Sequence, residues 1–115
     1  MVARPGKYYD VLRAGPSLKW KRAEGEPEGV LEAILRKHRD GGRTHVLRVE
    51  VGTVFPSVVS HEFFEEAYYI EGEMLNTRTN EVIKGGDYVF HKQREKHGPF
   101  RCLKPCLILE FRYYG

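Results

Sequence analysis

The chain has 115 residues and a mass of 13.4 kDa, enough for one domain and too few for two. Hydrophobic residues make up 41% and charged residues 30%, a balance that excludes a disordered or low-complexity chain. The net charge of +3 comes from 19 basic and 16 acidic side chains that are interspersed along the chain, so no nucleic-acid partner is expected. No apolar run is long enough to cross a bilayer, and Met1 to Asp10 hold no apolar stretch of signal-peptide length. The expectation is a cytoplasmic protein with no membrane partner.

The first 28 residues are punctuated by Pro5, Gly6, Gly15, Pro16, Gly25 and Pro27, a density that favours turns and short extended pieces over helices. Residues 1–28 are read as an extended or edge segment, with short strands at Tyr8–Leu12 and Leu18–Lys21, ahead of a β-domain over 29–115. Between Gly29 and His38 the apolar positions fit a helical face and a strand alternation equally. Asp40-Gly41-Gly42 is a strong hairpin signal, and the β-branched segment Thr44–Val51 follows it. Val30–Lys37 and Thr44–Val51 are therefore predicted to pair as strands.

Val54–Ser60 and His61–Gly72 come next, then a hairpin in which Thr77 to Asn80 join Met74-Leu75 to Val82-Ile83. Gly85-Gly86-Asp87 turns into Tyr88–His91, and Pro99–Leu103 with Cys106–Tyr114 make a last hairpin around Lys104-Pro105. Short strands separated by regular turns predict an all-β sandwich or barrel. Cys102 and Cys106 lack the spacing of a zinc knuckle or a thioredoxin-type pair. They are read as reduced, buried small side chains, although they could face each other across the hairpin turn and oxidise.

Two segments concentrate metal-ligand chemistry: Val59-Ser60-His61-Glu62-Phe63-Phe64-Glu65, and Gly86 through His91 to His97-Gly98-Pro99. Imidazole and carboxylate are natural donors for a borderline or hard divalent ion. On one flat strand His61 and Glu65 would lie about 13 Å apart, so they share an ion only if the chain turns between them or forms a helix. The helical option is similar to the zincin motif His-Glu-x-x-His, with Glu65 where the second histidine belongs, and it conflicts with the β-pattern around it.

The turning option resembles the cupin superfamily, over about residues 28–115. His61, the three-residue gap to Glu65 and the six-residue gap to Gly72 fit the first cupin motif, G-x5-H-x-H-x3/4-E-x6-G. Gly86 and His97 fit the second, G-x5-P-x-G-x2-H-x3-N. Within the superfamily the chain is most similar to the cupin domain of ChrR-type zinc anti-sigma factors, and more loosely to acetylacetone-dioxygenase-like cupins. Val59 stands at the first motif histidine, and Gly52 lies one residue too far upstream. Lys92, Arg94 and Arg101 replace the proline, glycine and asparagine of the second motif.

The resemblance implies a single-domain cupin, a double-stranded β-helix or jelly-roll barrel over 29–115. It implies His61, Glu65 and His97 as ligands of a divalent metal, iron, manganese or zinc. A two-histidine, one-carboxylate set with open positions is typical of non-haem iron oxygenases. Alternation on the strands places Glu65, Ala67 and Tyr69 on one face and His97, Pro99 and Arg101 on another that looks into the same cavity. Arg101 would then anchor an oxygenated small molecule and Tyr69 donate a proton, with Tyr69, Phe90 and Phe100 as pocket wall. A salt bridge to Glu110 is the other reading of Arg101. His91 could replace the lost ligand but is read as an edge residue or a supporting one, and His38 and His45 as surface.

Three readings stay open: a metal-dependent, dioxygenase-like enzyme; a non-catalytic ligand- or metal-sensing module with a regulatory partner; or a degenerate cupin without metal. The resemblance also implies a homodimer, paired through the N-terminal segment around Tyr8 and Trp20.

Overall fold

A computed structural model describes Val11 and residues 18–115. Of the predicted strand Tyr8–Leu12 only Val11 is described, in a turn; the rest of it, Tyr8 included, lies outside the described residues. All regular structure among the described residues is β: β1 Lys21–Arg22, β2 Val30–Lys37, β3 Arg43–Val49, β4 Val54–Phe55, β5 Phe64–Asn76, β6 Val82–Lys84, β7 Tyr88–His91 and β8 Phe100–Tyr113. The ladders form one antiparallel sheet in the order β1-β2-β3-β8-β5-β6, with β4 added to β8 and β7 to β5.

Alternation explains most of these strands. The ambiguous segment after Gly29 is a strand because its partner β3 continues the sheet into β8, and neighbours on both sides favour an extended chain over an isolated helical turn. The Asp40-Gly41-Gly42 turn closes as expected. His38 N–H donates to the Gly42 carbonyl at 2.9 Å, and Asp40 accepts from Gly42 N–H at 2.8 Å and from Tyr114 N–H at 2.7 Å.

The last predicted hairpin does not exist. Phe100–Tyr113 is one continuous strand of 14 residues, and Lys104 and Cys106 stay in the sheet. β5 and β8 are long enough to serve both walls of the barrel. The first half of β5 and the second half of β8 face β7 and β3, and their other halves carry β6 and β4. The two strands bend together through irregular pairing between Tyr69 and Met74, which takes up Pro105, a residue with no N–H for the ladder. Gly72 makes this possible. Its φ is +106°, and a Cβ there would sit 2.5 Å from the Pro105 carbonyl oxygen.

The inner faces of both walls form the core, with Val30, Val49, Ala67, Tyr69, Met74, Cys102, Cys106 and Ile108 buried together. Cys102 and Cys106 are free thiols with their sulfurs 3.8 Å apart, brought together by the bend in one strand and not by a hairpin turn. No helix among the described residues is long and apolar enough to cross a membrane.

Candidate metal centre

The register of the inner faces sorts the barrel interior into a polar end and an apolar one. Ile108 on β8 stands between Leu47 on β3 and Tyr69 on β5, while Cys106 faces Val49. Two residues further along each strand, Glu110 stands between His45 and Ala67, and Arg112 lies opposite Glu65, which in turn faces His91 on β7. A cavity of about 640 Å³ runs between these ends, lined by apolar side chains such as Leu47, Met74, Ile83 and Phe100, and closed by His61, Glu65, His91, His97, Glu110 and Arg112.

At the polar end Glu65, His91 and His97 bring one donor atom each to within 4.8 Å of one another. The His91 and His97 rings stack 4.2 Å apart, and His97 Nε2 lies 4.0 Å from Glu65 Oε2. Glu95 orients both rings. Its carboxylate is 2.8 Å from His91 Nδ1, and its backbone carbonyl is 3.2 Å from His97 Nδ1. Engaging Nδ1 fixes the tautomer that leaves Nε2 free as a donor, a standard arrangement for metal-ligating histidines. The donor set therefore fits a divalent ion: two oriented imidazoles and one carboxylate, at the end of a cavity that leaves room for further ligands.

Three of the expected site residues line this cavity beside Tyr69: His61, Glu65 and His97. The chain does turn between His61 and Glu65, because β5 begins only at Phe64 and the residues before it bend. His61 stacks on Phe63 at 4.5 Å and lies 5.1 Å, centroid to centroid, from His97, so it borders the three-donor group without belonging to it. Its carbonyl accepts from Arg94 N–H, and Arg94 has a φ of +62°. Arg94 stands at the glycine position of the second cupin motif, and glycine adopts such left-handed backbone without strain. Val59 bridges His97 through two backbone hydrogen bonds of 2.9 Å, so the position of the first motif histidine is adjacent to His97.

Several expectations are corrected. Arg101 does not enter the cavity: it is exposed, because β8 starts at Phe100 and the inward phase belongs to Phe100 and Cys102, so alternation cannot be counted from His97. The arginine inside is Arg112. Its Nε is 2.7 Å from Glu110 Oε1 and 3.7 Å from Glu65 Oε1, and its guanidinium lies 5.0 Å from the Phe63 ring centre. Phe90 is on the outer face, 46% exposed, whereas Tyr69 and Phe100 do line the cavity. His91 is not a mere edge residue but joins the donor group. His45 is not at the surface but wholly buried, with Nδ1 2.5 Å from Glu32 Oε2 and Nε2 2.8 Å from Glu110 Oε1. His38 is partly buried and hydrogen-bonds the Thr44 hydroxyl at 2.8 Å.

Burial dominates the electrostatics. It lowers the His61 pKa, helped by Arg112, and takes His97 down to about 4 with a contribution from His91, so both imidazoles are neutral near pH 7. Burial and the neighbouring Glu110 push Glu65 up to about 9. Burial also opposes ionisation of Glu110, but the His45 hydrogen bond and Arg112 reverse this and hold it well below the usual carboxylate range. One member of the carboxyl pair is therefore ionised and the other keeps its proton near pH 7. Burial pushes Tyr69 far above its ordinary value, which keeps its phenol protonated.

An antiparallel β-barrel with a two-histidine, one-carboxylate group at the polar end of an internal cavity is the architecture of a cupin. The sequence profile of the ChrR cupin-like domain matches residues 11–113, and the chain belongs to that family. No curated protein matches the chain. Among solved structures, an RmlC-like cupin from Shewanella frigidimarina NCIMB 400 is 19% identical, with 85% of this chain and 86% of that one covered at a TM-score of 0.68. An acetylacetone dioxygenase from Acinetobacter johnsonii is 15% identical over 97% of this chain and 75% of that one, TM-score 0.67. The anti-sigma factor ChrR from Rhodobacter sphaeroides, solved with SigE, is 21% identical over 84% of this chain and 49% of its own, TM-score 0.65. These likenesses establish the fold.

Proposed function

We propose that this chain is a small metal-dependent cupin that binds an oxygenated organic molecule in its barrel, with Glu65, His91 and His97 as ligands of a divalent iron, manganese or zinc ion. The observation that carries the reading is the convergence of those three side chains within 4.8 Å at the polar end of a mainly apolar cavity. Val59 deprives the family motif of one imidazole, and His91 supplies one from a different strand. His61 is placed to complete the set or to contact the bound molecule.

When bound, a divalent ion with three protein ligands and open positions polarises an oxygen donor or activates dioxygen or water. The protein's own part is to orient and exclude. The apolar end receives the body of the molecule and strips its water. Arg112 offers a fixed positive charge beside the centre, the role expected of Arg101. Tyr69 holds a proton at its phenolic oxygen inside the cavity. A dioxygenase-like reaction is the proposed activity, in a cytoplasmic homodimer.

The test is elemental analysis of protein purified without chelator, followed by reconstitution with Fe(II), Mn(II) and Zn(II) and a turnover screen with small diketones and hydroxy acids. Failure to retain any of the three ions rejects the reading. The family match and the ChrR structure solved with SigE favour a second reading, in which the loaded barrel is a shape recognised by a separate regulatory protein. Stoichiometric co-purification of such a protein, with no turnover, would select it.

A further inference from the structure

Behind the metal centre runs a buried polar chain that the cupin motifs do not contain. Glu32, His45 and Glu110 are at most 6% exposed, and His45 is wholly enclosed. His45 spans the two carboxylates, each ring nitrogen facing one oxygen, so its plane is fixed at both ends. Arg43 closes the outer end, with Nε 3.0 Å from Glu32 Oε2. At the inner end Glu110 Oε1 receives both His45 Nε2 at 2.8 Å and Arg112 Nε at 2.7 Å. Arg112 then reaches Glu65 Oε1 at 3.7 Å, while the other oxygen of Glu65 faces His97.

Glu32, His45 and Glu110 are buried polar groups beside a largely apolar core and are costly to desolvate, and apolar replacements of such groups are often neutral for stability. Their arrangement has a geometric result: one carboxylate oxygen of Glu65 is directed at Arg112 and the other at His97. Building on the metal-site reading above, we infer that His45 is a positioning residue. Through Glu110 and Arg112 it restricts Glu65 to a single-oxygen ligand and keeps a coordination position open for the organic molecule. Without that restraint the carboxylate is free to turn and offer both oxygens, which would fill the position.

The test compares wild type with His45→Gln in two measurements. Crystal structures of the metal-free proteins report the Glu65 carboxylate directly. It should keep Oε1 on Arg112 in wild type and rotate away in the variant. Co(II) titration, followed by calorimetry and by the ligand-field spectrum, should show one ion per chain in both. The variant should bind about tenfold more weakly, with a spectrum of higher coordination number. A Glu65 orientation unchanged by the substitution, with Co(II) affinity within twofold, overturns the inference. Should His45→Gln fail to fold, Glu110→Gln keeps an acceptor for His45 but removes the charge that holds Arg112, and the same two readings decide. If wild type takes up no Co(II), the metal reading falls, while the metal-free crystals still decide whether His45 positions Glu65.

Discussion

His91 stands directly opposite Glu65 in the β5–β7 ladder, which puts an imidazole and a carboxylate from two strands on one inner face. Side chains paired in this way have Cβ atoms about 5 Å apart, close enough to share an ion. In the proposed centre this ladder supplies the imidazole that the motif would place at Val59. A centre built this way makes predictions that differ from those of the bare motif.

His91→Ala and His97→Ala should each abolish measurable metal retention, and His61→Ala should weaken it less than either. Dialysis followed by elemental analysis ranks the three. A larger loss at His61 than at His91 would return the ligand set to the motif positions.

Glu95 acts on both imidazoles, one through its side chain and one through its carbonyl. Glu95→Gln leaves the carbonyl in place and weakens only the hold on His91. Removing an orienting carboxylate of this kind costs roughly tenfold to a hundredfold in affinity. Calorimetric titration with Zn(II) measures it.

Restoring the missing ligand is the converse experiment. Val59 pairs with His97 across two backbone hydrogen bonds, so Val59→His adds an imidazole beside an existing one. Affinity should rise at least about tenfold, or roughly 1.4 kcal/mol. Unchanged affinity would place the ion elsewhere.

Proton linkage follows from Glu65, whose pKa in the folded protein is raised above its ordinary value of 4.5, to about 9. A group raised in this sense stabilises the fold fully below the unfolded value, and that contribution is lost as pH climbs through the folded value. Metal-free protein should therefore lose thermal stability between about pH 5 and 9. Metal binding expels the same proton, so affinity should increase with pH over this window. His97, at about 4, does not compete above pH 5. Calorimetry in two buffers of different ionisation enthalpy counts the proton, and a buffer-independent heat would contradict the assignment.

The thiols should be silent in the native state. Burial raises both, with Cys106 pushed up to about 12 in part by Cys102, so little thiolate forms at neutral pH. A disulfide-exchange reagent should label neither until denaturant unfolds the barrel. Gly72→Ala tests the bend that brings these cysteines together: positive φ and the Pro105 contact should cost about 2 kcal/mol or more, read as a fall in denaturation midpoint.

By itself the sequence determined what is local. The alternation of β2, β3 and β7, the turns at Asp40-Gly41-Gly42 and Thr77 to Asn80, and the motif spacings of Glu65 and His97 each depend on residues near one another in the chain. The tertiary structure decided what depends on register and phase between distant strands. That includes His91 facing Glu65, the inward turn of Arg112 in place of Arg101, the burial of His45 between Glu32 and Glu110, and the single strand that replaced a hairpin at Lys104-Pro105. Period-two alternation says that neighbours point to opposite faces but not which face is the interior. That choice is made by the strands packed on either side, since a shift of one residue would turn every side chain of a strand over.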